Sequence, residues 1–273
     1  PALAAGCPVV IKPAASTPYT ATALVELADR AGIPKGVINL LSVSENNVAD
    51  VGDELCTNQD IRKISFTGST NVGKKLIAKS ATTIKKVSME LGGHAPFIVF
   101  EDANLDEAVT GAMANKYRNS GQVCVSANRI YVHENVATEF VDLFVAKMAN
   151  LKMGDGRDHS IDVGPLVNLE TRDKVDYFVR DAVSKGAVIK LGGQKPVGKG
   201  FFYPPTVITN VPDTAECLYD EIFGPVAAIQ TFSDEMEIIQ RSNATEYGLV
   251  AYVYTSDMKR GMRISESLEF GMI

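Results

Sequence analysis

The 273 residues contain little of what builds disulfide frameworks, metal centres or nucleic-acid surfaces. Cysteine occurs four times, at Cys7, Cys56, Cys124 and Cys217, widely spaced and never as CxxC, which speaks against disulfides and structural zinc. His94, His133 and His159 are scattered, with no second ligand or base at helical spacing, so no metal is expected and none of the three is given a catalytic role. Basic runs stop at the pairs Lys74-Lys75 and Lys85-Lys86 in a chain of net charge -6, which argues against nucleic acid or an anionic membrane as partner. The longest apolar stretch, Pro1 to Ile11, is too short to cross a bilayer and lacks a charged leader or cleavage signature. The expectation is a soluble, cytoplasmic chain.

With 45% apolar and 22% charged residues, the composition is globular, and the length suits one large domain or two smaller ones. Apolar runs begin near Val9, Val37, Ile64 and Val87, at separations of 28, 27 and 23 residues, which is the length of a βαβ unit. Between them, Ala21, Leu24, Val25 and Ala28 form one helical stripe, closed by Gly32 and Pro34, and Val48, Val51 and Leu55 form another. This rhythm predicts an α/β fold with a doubly wound parallel sheet. Further strands are expected at 96–100, 129–133, 188–191, 226–232 and 249–254, and helices at 105–116, 137–148, 171–185 and 235–242. Glycine- and proline-rich segments at 192–205 and 210–213 read as loops. The Gly92-Gly93 pair is taken as a domain boundary, separating 1–91 from 92–273. Both ends read as cut: the chain opens on Pro1 and closes on Gly271-Met272-Ile273, which reads as the start of a strand.

Three segments carry chemistry. Cys124 follows Arg118-Asn119-Ser120-Gly121-Gln122-Val123 on a glycine-bearing loop, where a thiol is placed to act as a nucleophile. A free cysteine is ordinarily a small buried hydrophobe, and that reading is adopted for Cys7, Cys56 and Cys217. Glu90 ends a predicted strand, where open α/β sheets bind ligands, although a solvated carboxylate is an equal alternative. The spacing Gly68-x-x-x-x-Gly73, with Ser69, suits either a pyrophosphate-facing turn at a helix N-terminus or an ordinary strand-to-helix turn. It lacks the GKS ending of a nucleotide-hydrolysing loop and the GxGxxG fingerprint.

The ordered motifs Ile11-Lys12-Pro13, Phe66-Thr67-Gly68-Ser69-Thr70 with Gly73, Glu90-Leu91-Gly92-Gly93, Gly121-Gln122-Val123-Cys124 and Glu221-Ile222-Phe223-Gly224-Pro225 resemble the NAD(P)-dependent aldehyde dehydrogenase superfamily across the whole chain. The resemblance implies that residues 1–91 are the C-terminal part of a Rossmann-like NAD(P)-binding domain and 92–273 a truncated catalytic domain. It also implies a homo-oligomer in the full-length protein and an inactive fragment. Cys124 becomes the nucleophile and Glu90 the general base of a thiohemiacetal and thioester cycle, with the Cys124 amide donating to the oxyanion. Lys12, Ser16, Gly68, Ser69, Gly73 and Leu91 become cofactor contacts, with Glu221 on the nicotinamide ribose and Phe223 beside the ring. Ala15 stands where NAD-preferring members often carry Glu. Loss of that carboxylate removes repulsion of a ribose 2′-phosphate, so NADP is expected alongside NAD.

Within the superfamily the succinate-semialdehyde branch resembles this chain most. Arg118 would then hold the distal carboxylate of the aldehyde as a bidentate pair. Its alternative is a solvated arginine ending a helix. A glutarate-semialdehyde or broad-specificity enzyme is the runner-up, because Arg118 selects charge and not chain length. A catalytically silent relative is the reading from another class, and the retention of Cys124 and Glu90 counts against it. Several members of the branch carry a second cysteine two residues after the nucleophile. Here that position is Ser126, so a redox disulfide is not expected.

Overall fold

In the computed structural model, which describes residues 1–273, the rhythm of the first ninety residues resolves into two parallel strand pairs. Strands β1 (Val9–Ile11) and β2 (Ile38–Leu40) pair through the crossover helix α1 (Tyr19–Arg30). After α2 (Val48–Thr57), β3 (Lys63–Thr67) and β4 (Lys86–Glu90) pair through α3 (Thr70–Ser80). The α/β fold with parallel strands is as expected, and over this stretch the strands form two separate ribbons. Strands β1 and β2 have only three residues each and no fully buried side chain, leaving few backbone groups and little apolar surface to extend a ladder. Leu24, on the predicted stripe of α1, is accordingly 63% exposed.

The chain divides after Leu91 into two compact units, Pro1–Leu91 and Gly92–Ile273. The second contains a six-stranded sheet in the order β10-β5-β6-β9-β8-β7, parallel except for the β7–β8 pair. Its strands are β5 (Ala95–Val99), β6 (Ala127–His133), β7 (Val188–Leu191), β8 (Thr206–Thr209), β9 (Val226–Phe232) and β10 (Tyr252–Tyr254). Helices α4 (Leu105–Tyr117), α5 (Glu134–Met148), α6 (Leu169–Ser184), α7 (Glu235–Asn243) and α8 (Met258–Ser267) cover both faces. Alternation along β5 explains the two-sided burial: Phe97 and Val99 pack with Ala108, Val109 and Ala112 of α4 and Phe140 and Phe144 of α5. Ile98 packs on the opposite side with Ile238 of α7 and Ile264 of α8. A third cluster joins Val175, Phe178 and Val179 of α6 to Ile208, Val226 and Ala228. A strand buried on both faces reads as a continuous apolar run, as Pro96-Phe97-Ile98-Val99-Phe100 does.

Four details differ from expectation. Strand β8 lies between the two predicted loops, where four residues leave too short a pattern to recognise. Helix α8, which lies outside the expected helices, buries only Ile264. The strand expected at 249–254 narrows to Tyr252–Tyr254, because Val250 forms an isolated parallel bridge with Met272 near the chain end. Cys7 is exposed rather than buried, since it follows a surface 3-10 turn at Leu3–Ala5. No helix is long and apolar enough to cross a membrane.

Candidate active site

In the first unit, two groups of expected residues come together at strand ends. Lys12 follows β1, and its Nζ donates to the Pro13 carbonyl at 2.5 Å. Ala15 lines a hollow of about 260 Å³ with Pro13, Pro18, Ser42 and Ser44, and Ser16 next to it is exposed. Glu90 ends β4 opposite Thr67 of β3, and its carbonyl accepts the Gly68 N–H at 3.0 Å. The glutamate and the glycine turn thus share one strand end, with the Glu90 side chain exposed. Ser69 caps α3, its hydroxyl accepting the Val72 N–H at 3.4 Å. Gly73 is buried where a Cβ would overlap the Leu91 side chain, so its lack of one makes room for Leu91.

In the second unit the loop that leads to Cys124 is built from an unusual backbone. Asn119, Ser120 and Gly121 are all left-handed, at φ of 50°, 57° and 74°. Such a run is costly for side-chain-bearing residues and persists only when neighbours hold it. Ser120 Oγ donates to the Gly164 carbonyl at 2.9 Å. Gln122 donates to the Asn119 carbonyl at 3.1 Å and accepts the Val167 N–H at 2.8 Å. A Cβ at Gly121 would overlap the Gly224 carbonyl oxygen, so position 121 needs glycine for space as well as for φ. The chain leaves this turn at Cys124, a half-buried free thiol. On its far side Val125 is held by Asn115 Nδ2 at 3.1 Å and Tyr252 OH at 2.8 Å, both donating to its carbonyl.

Arg118 is exposed at the C-terminal end of α4, and the Arg118 and Cys124 side chains both act electrostatically on Tyr252. Glu221 is half-buried. Burial raises its pKa, while the Gly93 N–H, donating to Oε1 at 3.2 Å, and the cations Lys174 and Lys116 oppose that rise. Phe223, two residues on, takes a left-handed φ of 55°.

Gly93, Cys124 and Glu221 all precede the strands they lead into, β5, β6 and β9. Because these strands are parallel, the residues gather at the N-terminal edge of the sheet. Ligands in open α/β sheets ordinarily meet the opposite edge, so the usual topological rule does not find this site.

Sequence reasoning missed Lys116. It is fully buried on α4, and burial lowers its pKa to about 7 against the pull of Glu221 and Cys217. The signal was available: Ala108, Ala112 and Lys116 recur every four residues, which sets a charge on the inward stripe of the helix.

The aldehyde dehydrogenase family model matches residues 1–273, and the chain belongs to that family. It is 51% identical over all 273 residues to a glutarate-semialdehyde dehydrogenase of Pseudomonas aeruginosa, covering 56% of that protein. It is 50% identical over the same span to a probable NADP(+) succinate-semialdehyde dehydrogenase of Sinorhizobium fredii, covering 55% of it. The crystal structure of succinate-semialdehyde dehydrogenase from Burkholderia pseudomallei superposes on 99% of the chain with a TM-score of 0.97 and 47% identity, and 56% of that chain is covered. The chain therefore spans about half the length of the relatives it matches.

Proposed function

We propose that the protein carrying this chain oxidises an aldehyde with a distal carboxylate, succinate semialdehyde first and glutarate semialdehyde as the alternative, using NADP or NAD. The observation that carries the reading is one loop that opens on the exposed Arg118, turns through the left-handed Asn119–Gly121 and ends on the half-buried Cys124 thiol. Both relatives named above act, by their names, on aldehydes that end in a carboxylate, which a guanidinium recognises by a two-pronged hydrogen bond.

The Cys124 thiolate adds to the aldehyde carbon and forms a thiohemiacetal, with Arg118 fixing which end of the substrate faces the sulfur. The Cys124 amide supports the developing oxyanion. Collapse of the adduct releases a hydride equivalent and leaves a thioester on Cys124. When bound, the nicotinamide supplies the acceptor for that hydride. Glu90 then takes a proton from water, whose oxygen attacks the thioester carbon to release the acid and free the thiol.

The residues present fit a dinucleotide. The Gly68 turn opens α3 with exposed backbone and Ser69, while Glu221 supplies a half-buried carboxylate for ribose hydroxyls, with Phe223 close behind it. Lys12, Ser16 and the hollow beside Ala15 suit the adenosine end, and Leu91, packed on Gly73, follows the proposed base.

The test is pre-steady-state kinetics on the full-length protein. Cys124→Ala should lose turnover, and Glu90→Gln should give a burst of reduced cofactor followed by slow hydrolysis. Full steady-state activity in Cys124→Ala would falsify the mechanism.

A further inference from the structure

Lys116 lies in the second unit with no carboxylate bonded to it. Its Nζ donates to Asn128 Oδ1 at 3.3 Å. Asn128 Nδ2 donates to the Gly93 carbonyl at 3.2 Å, and the Gly93 N–H donates to Glu221 Oε1 at 3.2 Å. One amide side chain and one residue's backbone thus connect a buried cation to a half-buried carboxylate. A buried charge without a close counter-ion is costly, and a hydrophobic side chain of the same volume would avoid that cost.

We propose that Lys116 is the positioning residue for Glu221, holding that carboxylate ionised and oriented through Asn128 and Gly93 so that it can accept the hydroxyls of a dinucleotide ribose. The proposal rests on the reading of Glu221 as a cofactor contact given above. The groups around Lys116 come from several elements: Glu221 before β9, Cys217 in the 3-10 turn Glu216–Leu218, and His94 before β5. Glu221 also experiences Lys174 from α6, and Tyr247 experiences Glu221. His94 stays neutral, with its pKa lowered to about 3 by burial and by Arg129, and Cys217 stays a thiol, raised to about 12 by burial. Unlike His94 and Cys217, Lys116 changes charge near neutrality. Below that point its cation favours the Glu221 carboxylate; above it the support fades.

The experiment is equilibrium titration of the full-length protein with NADP at pH 6 and pH 8, reading binding rather than turnover. Comparing each variant with the parent at the same pH cancels titration of the ligand's own phosphate. Lys116→Met should weaken binding about tenfold at pH 6 and about twofold or less at pH 8, the scale of one lost charge-assisted interaction. Lys116→Arg, a permanent cation, should keep the pH 6 affinity. In a Glu221→Gln background, Lys116→Met should add nothing. Iodoacetamide alkylation of Cys124 without cofactor should proceed at the parental rate in Lys116→Met, showing an intact loop. Equal loss at both pH values, additive loss with Glu221→Gln, or slowed alkylation would overturn the proposal and leave Lys116 a structural residue. A parent that binds no dinucleotide would overturn the reading of Glu221 itself, and the positioning role with it.

Discussion

Gly93 lies against the main chain of Cys124 so closely that a Cβ at position 93 would overlap the Cys124 carbonyl oxygen. The same glycine donates its N–H to Glu221, so one residue without a side chain sets the spacing between Cys124 and Glu221. Gly93→Ala must push the Cys124 backbone aside. A displacement of about 1 Å at a reacting atom can cost 10²-fold, so a kcat loss on that order is expected in the full-length protein. Steady-state kinetics check it; a variant with parental kcat means that the loop relaxes without moving the sulfur.

Arg118→Lys retains the charge but loses the fork. The kcat/KM for succinate semialdehyde should fall roughly tenfold or more, with little change for uncharged aldehydes of similar length. Equal losses on both substrate types would assign Arg118 to the end of α4 and not to the substrate.

Ala15 borders the hollow with Ser42 and Ser44. The parent should use NADP at least as efficiently as NAD, and Ala15→Glu should weaken NADP selectively through like-charge repulsion. The measurement is kcat/KM for both cofactors. A ratio that does not move places the 2′-phosphate elsewhere.

His94 is 1% exposed, with Nε2 on the Leu218 carbonyl at 2.8 Å and its pKa lowered from 6.5 to about 3. The unfolded chain binds a proton below 6.5 that the folded chain refuses until about 3. Stability should therefore decline as pH falls through that window, by up to about 1.4 kcal/mol per pH unit from this group. Denaturant melts of the parent and of His94→Asn across that range check the sign: the variant should lose less stability on acidification, and parallel curves would remove His94 as the cause.

Much of the second unit was legible because its central strands are buried on both faces, as the apolar run 96–100 shows. In the first unit the pattern marked elements but not their pairing, since three-residue strands such as Val9–Ile11 leave sheet membership to contacts that no local period encodes. The roles of Cys124 and Glu90 came from the order of motifs and not from local chemistry. Lys116 escaped because its place on the stripe of Ala108 and Ala112 was not weighed against the ordinary solvated lysine, and the contacts of Asn128 and Gly93 escaped because they join residues far apart in sequence. Ser69 caps α3, which agrees with the ordinary strand-to-helix turn kept open beside the pyrophosphate reading.

The order β10-β5-β6-β9-β8-β7 puts the first strand of the second unit beside its last. Phe97 aligns with Tyr252, and Arg260 and Thr255 then tie Asp102 to the turn after β10. During synthesis β5 emerges more than 150 residues before this neighbour, so one edge of an almost wholly apolar strand stays open until Tyr252–Tyr254 follows. Pairing over such a separation is entropically slow, and an open apolar edge is a template for other chains. A chain that stalls before residue 252 is thus exposed to aggregation at β5, and the late arrival of Tyr252–Tyr254 is the step that removes that hazard.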